Sequence, residues 1–295
     1  MHVLVTGGTG FVGTHLSREL VDRGHSVTAL SRSADPSGLP DSVEVVSGDV
    51  TDPDSLTGPI ADQDVVVNLV ALSPLFKPKG GDKMHEHVHL QGTRNVIEAA
   101  EAADVSTIVQ MSALGADPEG STAYIRAKGR AETAVRESTL DWTIVRPSVI
   151  FGEGGEFVRF TRVLTTPYVT ALPSGGSTRF QPIWIGDLAP MLAAAVEDER
   201  HRGETYDIGG PETQTLADIA RLVYQTEGKS LSVLPVPMSL TRIGMHLADP
   251  LPFVPFGPDQ YRSLRFDNTT ATNDVAEFAV SEDELRTLRE YLSEP

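Results

Sequence analysis

Apolar and polar positions repeat with two different periods along the first half of the chain. The runs "HVLVT", "SVTALS", "VEVVSG", "DVVVNLV", "STIVQMS" and "DWTIVRP" are short, β-branched and nearly continuous in apolar residues, the pattern of strands covered on both faces. Between most of them, apolar residues recur at helical spacing, as in "TRNVIEAAEAA" and "GRAETAVREST". Strands that alternate with helices predict an α/β fold with a doubly wound parallel sheet. After Pro147 the texture changes, and "FGEGGEF", "LPSGGSTRFQP" and "IGGPETQTLADIARLV" mix glycine turns with short elements. We therefore expect a first domain over residues 1–150 and a smaller substrate-side region over 151–295, whose middle segments return to the first sheet. The last stretch, "SEDELRTLREYL", carries a capping box at Ser281 and Glu284 and predicts a closing helix.

Charge narrows the range of partners. The 41 acidic and 24 basic residues leave a net charge of -17, and lysine is confined to Lys77, Lys79, Lys83, Lys128 and Lys229. Such a surface repels a phosphate backbone, which argues against nucleic acid. It resembles the surfaces of proteins from salt-loving archaea, where ionic strength screens the self-repulsion. The absence of cysteine excludes disulfides, thiol catalysis and Cys-ligated metal. No apolar run reaches the roughly 18 residues that span a bilayer and the N-terminus enters a strand at once, so neither a transmembrane helix nor a signal peptide is expected, and the cytoplasm is the expected location. Residues 234–258 are rich in proline and apolar side chains, suiting a lid packed on the body or a contact for a protein or membrane surface.

The candidate chemistry begins at "TGGTGFVG". A strand, then Gly7-x-x-Gly10-x-x-Gly13, then a helix lets backbone N–H groups and a helix N-terminus approach a pyrophosphate with no Cβ in the way. Gly7 serves the tight turn, Gly10 the close approach and Gly13 the helix-to-strand packing, with Thr9, Phe11 and Val12 completing the cradle. At the end of the second strand an acidic residue would meet a free ribose 2′-OH. This chain instead has Arg32 between Ser31 and Ser33, which suits a 2′-phosphate and favours NADP(H) over NAD(H). Asp49 and Val50, after the third strand, are placed to flank the adenine.

With "GDVTD", "NLVA", "GTRNVIEAA", "YIRAK", "IVRPSVIFG" and "GETYDIGGPETQTLADIA" in order behind the glycine turn, the chain resembles the extended and atypical short-chain dehydrogenases/reductases, with the NAD-dependent epimerases and dehydratases, over about residues 1–228. Within that group "YIRAKGRAETAVRES", "IVRPSVIFG" and "QPIWIGDLA" are most similar to the nucleotide-binding accessory subunit of respiratory complex I and its stand-alone relatives. The resemblance implies a Rossmann-type sheet, cofactor contacts from Leu69, Val70, Ala71, His89 and Pro147, and chemistry carried by Tyr124 and Lys128. Four residues apart on a helix, these two share a face, so the lysine is expected to lower the tyrosine pKa while also holding the ribose. The family's catalytic hydroxyl falls at or next to Leu114, which has none; Ser112, or Ser121 and Thr122, are the substitutes at hand. Arg179 lies roughly where related enzymes hold a substrate phosphate. In "HEHVH" only His85 and His89 share a helix face and no third ligand is fixed, so no metal is expected. Two readings remain: an NADP(H)-binding oxidoreductase or epimerase acting on a small molecule, or a protein that holds NADPH as a structural or redox-sensing element.

Overall fold

Each of the six apolar runs contains a strand in the computed structural model, which describes residues 1–237 and 258–294. The strands are β1 (His2–Thr6), β2 (Ser26–Ser31), β3 (Glu44–Ser47), β4 (Val65–Asn68), β5 (Thr107–Met111) and β6 (Asp141–Pro147). With β7 (Glu204–Ile208) they form one seven-stranded sheet in the order β7-β6-β5-β4-β1-β2-β3. The neighbours from β3 to β6 are parallel, with Thr6 opposite both Leu30 and Asn68, and Asn68 opposite Gln110. This is a Rossmann-type sheet. Its order reverses between β1 and β4, where such sheets open a crevice outside the carboxyl ends of the strands.

The chain divides into two units, the first made of Met1–Leu72, Lys83–Pro147 and Ile185–Asp207. Its helices include α1 (Phe11–Asp22), α2 (Thr57–Ile60), α3 (Lys83–His85), α4 (Gly92–Ala102) and α5 (Ala123–Glu137). One face of the sheet contributes Leu4, Leu30, Val66, Ile108 and Ile144 to a core closed by Val96, Ile97 and Ala100 of α4 and Val135 of α5. A polar thread crosses this apolar sheet and is satisfied along its length. The Thr6 hydroxyl donates to Asn68 Oδ1 at 2.7 Å, and Asn68 Nδ2 donates to Gln110 Oε1 at 2.8 Å. Only one strand register pairs these buried groups, so the thread helps to specify it.

The second unit comprises Ser73–Asp82, Ser148–Trp184 and Ile208–Pro295. It includes α6 (Glu156–Leu164), α7 (Leu216–Thr226) and three two-stranded sheets, built on Phe151, Phe157, Leu172, Phe180, Leu216, Ile219 and Leu222. The capping box at Ser281 and Glu284 is present but heads a single 3₁₀ turn, Glu282–Glu284. The closing helix starts later, at Leu288, under a second box formed by Thr287 and Glu290. Most of the proline-rich stretch 234–258 lies outside the described residues.

Candidate active site

Parallel pairing sends β1 to β6 out of the same edge, so segments far apart in sequence emerge together at the carboxyl ends. After β1 the chain turns at Gly7, whose φ of +74° is open to glycine and strained for other residues. The amides of Gly7 and Gly8 both donate to Leu30 O, at 2.8 and 3.2 Å, pinning the turn to β2. Gly10 caps α1 without a side-chain bond, and the first turn of α1 carries no acidic residue to compete with an anion for its N–H groups. A Cβ at Gly10 would meet only Gly7 O, at 3.1 Å, whereas one at Gly13 would lie 2.3 Å from Gly7 O and 2.6 Å from Gly8 Cα. Gly13 is thus the packing glycine, and Gly10 leaves the approach open. Sequence reasoning overlooked Gly8, where a Cβ would sit 2.6 Å from Ala29 Cβ; the doubled glycine was its sign.

Around the turn, Thr9 and Phe11 are half-buried and Val12 is buried. Val70 Cγ2 lies 3.4 Å from where a Gly7 Cβ would be, Leu69 is buried and Ala71 is exposed. Past β2, Ser31 is half-buried and Ser33 exposed; Arg32 is exposed and forms no ion pair among the described residues. Burial raises the Asp49 carboxyl, but bonds from the Thr51 amide and hydroxyl, at 2.9 and 2.8 Å, outweigh it and hold the group below the usual carboxylate range. Val50 is buried and its carbonyl accepts from Asn95 Nδ2 at 2.8 Å.

Helix α5 carries the remaining candidates. Thr122 caps it, its hydroxyl accepting from Ile125 N at 3.2 Å, so that hydroxyl is committed to the helix; Ser121 is exposed. Leu114 is 5% exposed and its amide donates to Pro147 O at 3.2 Å. Ser112, just after β5, is buried with a side-chain oxygen that has no partner among the described residues. Lys128 is 1% exposed, and its Nζ donates to Met111 O at 2.9 Å, one residue before Ser112. Burial lowers this amine to about 8, against the pull of buried Glu132, which Arg146 grips at 2.5 and 2.7 Å. The expected depression of the tyrosine is not what the side chains produce: burial pushes the Tyr124 hydroxyl above its ordinary value. Desolvation of the phenolate is the cause, and Tyr124 is a protonated donor at neutral pH.

His89 is buried and accepts from Leu72 N through Nε2 at 3.4 Å. Arg179, in the second unit, forks onto Asp267 at 2.7 and 2.9 Å, beside a cavity of about 370 Å³ lined also by Ser177, Thr178 and Arg265. No cluster of three or more His, Asp or Glu suited to a metal ion occurs among the described residues.

A buried ammonium is costly, which gives a stability test. With a folded-state pKa of about 8 and an unfolded value near 10.4, Lys128 weakens the fold while charged. Lys128→Met should therefore stabilise the nucleotide-free protein at pH 7 by about 1–3 kcal/mol, a gain that fades as pH rises from 8 towards 10.4. Met111 O keeps a second donor, Gln110 Nε2 at 3.1 Å. Thermal melts of both proteins across this range check it; equal stability at pH 7 would contradict a charged, desolvated lysine.

A sequence profile described as NAD(P)H-binding matches residues 7–167. The chain is 28% identical over 229 residues to subunit 9 of the NADH dehydrogenase [ubiquinone] 1 alpha subcomplex of Arabidopsis thaliana, covering 75% of this chain and 56% of that protein. It is 29% identical over 266 residues to the divinyl chlorophyllide a 8-vinyl-reductase of Oryza sativa subsp. indica, covering 84% and 64%. The chain thus spans a little over half the length of such curated relatives. Among solved structures, the UDP-glucose 4-epimerase of Thermotoga maritima shares the fold at a TM-score of 0.74 and 17% identity, covering 99% of this chain and 96% of that one. No described helix is long and apolar enough to cross a membrane. The chain belongs to the NAD(P)H-binding family whose profile spans residues 7–167.

Proposed function

We propose that the chain is an NADP(H)-dependent oxidoreductase that protonates an oxygen of a small-molecule substrate through Tyr124. One observation carries this reading: Lys128 is almost fully buried four residues after Tyr124, its ammonium spending one of three donors on Met111 O, next to the unpartnered Ser112 hydroxyl. A buried ammonium and an orphaned hydroxyl both weaken a fold. Their presence at the carboxyl edge of the sheet is better explained by ligand than by packing.

The residues fit a dinucleotide. The open approach at Gly10 and the uncontested N-terminus of α1 would hold the pyrophosphate, and Arg32 a 2′-phosphate. When bound, the nicotinamide supplies or accepts a hydride. Tyr124, half-buried and protonated at neutral pH, is placed to give its proton to a carbonyl oxygen. The two remaining Lys128 donors would hold ribose hydroxyls, and the Ser112 hydroxyl would bond the same substrate oxygen. The relatives supporting chemistry are a vinyl reductase and a sugar epimerase. A second reading, an NADPH holder without turnover, is favoured by Leu114 in place of the family's hydroxyl and by the likeness to the complex I subunit.

Cofactor choice tests Arg32. Arg32→Asp should weaken NADPH binding by about 1.5–3 kcal/mol, the scale of a charge-assisted bond, and leave NADH unchanged or improved. Calorimetric titration with both nucleotides decides it, equal losses contradicting the assignment. We also propose that the acidic surface suits a salt-rich cytoplasm. Self-repulsion at a net charge of -17 should then make the melting temperature climb between about 0.1 and 2 M KCl, and a flat response would speak against it.

A further inference from the structure

Two histidines that the proton transfer above does not use lie against Tyr124. His85 closes α3, and His89 sits in the π-helical turn Glu86–Gln91 that follows, a rare local geometry often found at functional sites. Their rings are stacked, with centroids 5.5 Å apart and planes 19° from parallel. Each meets the Tyr124 ring edge-on, His85 at 5.6 Å and 77°, His89 at 5.3 Å and 87°. Both imidazoles are buried, at 0% and 2% exposure.

The protonation state of His89 follows from its partners. The Leu72 amide can only donate, so Nε2 carries no proton and the neutral ring holds its proton on Nδ1, which is buried and without a partner among the described residues. Burial first, then the charges of Lys128 on α5 and of His85, hold His89 well below the ordinary histidine range. Other charges on the neighbouring elements are engaged or exposed. Glu86 pairs with Arg130 at 3.2 Å and Glu132 with Arg146, while Lys83, His87, Arg94 and Glu98 are exposed. Protonating His89 would set an Nε2–H against the Leu72 N–H and place a positive ring beside His85 and Lys128.

We propose that His85 and His89 are positioning residues for Tyr124: a histidine stack that holds the tyrosine ring edge-on and releases it when acid charges His89. The proposal gives a role to the π turn and to the single tautomer of His89. It rests on Tyr124 being the acid of the proposed reaction, yet the ring contacts need neither nucleotide nor substrate, so its test stands apart from any assay of turnover.

The test is an acid titration of the nucleotide-free protein carrying ¹³Cζ-labelled tyrosine and ¹⁵N-labelled histidine. Tyr124 is identified among the six tyrosines by its loss in Tyr124→Phe. The Tyr124 signal should move in one acid transition, at the pH where the His89 ring takes up its proton, while the other five stay in place. In the double variant His85→Phe with His89→Phe, which keeps aromatic packing but cannot charge, that transition should vanish. His89→Gln, which keeps an acceptor for the Leu72 amide, should also lack it. The proposal is overturned by a wild-type Tyr124 signal that stays still while His89 protonates, or by an acid transition that survives in both variants. All six tyrosines moving together before His89 protonates would overturn it too. An intact transition in a protein without turnover would instead sink the enzyme reading alone.

Discussion

Tyr124→Phe lowers turnover by about 10²- to 10⁴-fold, the usual worth of a positioned general acid or base, and leaves NADPH affinity nearly unchanged. The substitution removes one oxygen and keeps the ring on which His85 and His89 pack. It should not damage α5, whose N-terminus is held by the Thr122 cap rather than by Tyr124. Steady-state kinetics beside a calorimetric titration separate the two quantities. A fall in affinity as large as the fall in turnover would mean that the hydroxyl binds nucleotide instead of moving a proton.

Gly10→Val is the second large effect, and here binding fails while the fold survives. The backbone at Gly10, with φ of -79° and ψ of 176°, is extended and admits a β-branched residue, and a Cβ there meets only Gly7 O at 3.1 Å. The side chain would stand where a pyrophosphate must approach the N-terminus of α1, so NADPH affinity should drop by at least about 100-fold, or about 3 kcal/mol. Gly13→Ala supplies the contrast, because its Cβ would collide with Gly7 O at 2.3 Å and the melting temperature itself should fall. Melting curves with a nucleotide titration check both. A folded Gly10→Val protein that binds NADPH normally would remove the turn from the site.

What the sequence makes legible is what depends on local pattern. The strands β1 to β6 are readable because each is a β-branched run, buried on both faces in all but the edge strand β3, and parallel pairing follows from the helices between most of them. The glycine turn is readable because φ > 0 and close approach are demands on single residues. Features that depend on long-range packing are not. No local pattern shows that the Lys128 amine ends on Met111 O, or that burial rather than the lysine sets the Tyr124 pKa. The capping box at Ser281 is correctly read as a cap, but Leu285 breaks the turn at φ -71° and ψ 140°, and the helix waits for Thr287. "HEHVH" shows a pair of histidines on one face; their edge-on contact with Tyr124 needs α5 to be in place. Leu114 is identifiable as a departure, and the structure adds that Thr122 is committed to its helix while the Ser112 hydroxyl is left without a partner.

The central claim is that this chain performs chemistry with its nucleotide. NADPH deuterated at both C4 positions, incubated with the protein and a small-molecule extract of cells, tests it most directly by mass spectrometry of the extract. The account predicts deuterium in a reduced small molecule with matching loss of absorbance near 340 nm, and label transfer reduced by about 10²-fold or more in Tyr124→Phe. Tight NADPH binding with a raised melting temperature, and no deuterium in any compound of the extract, would contradict it and establish the holder instead.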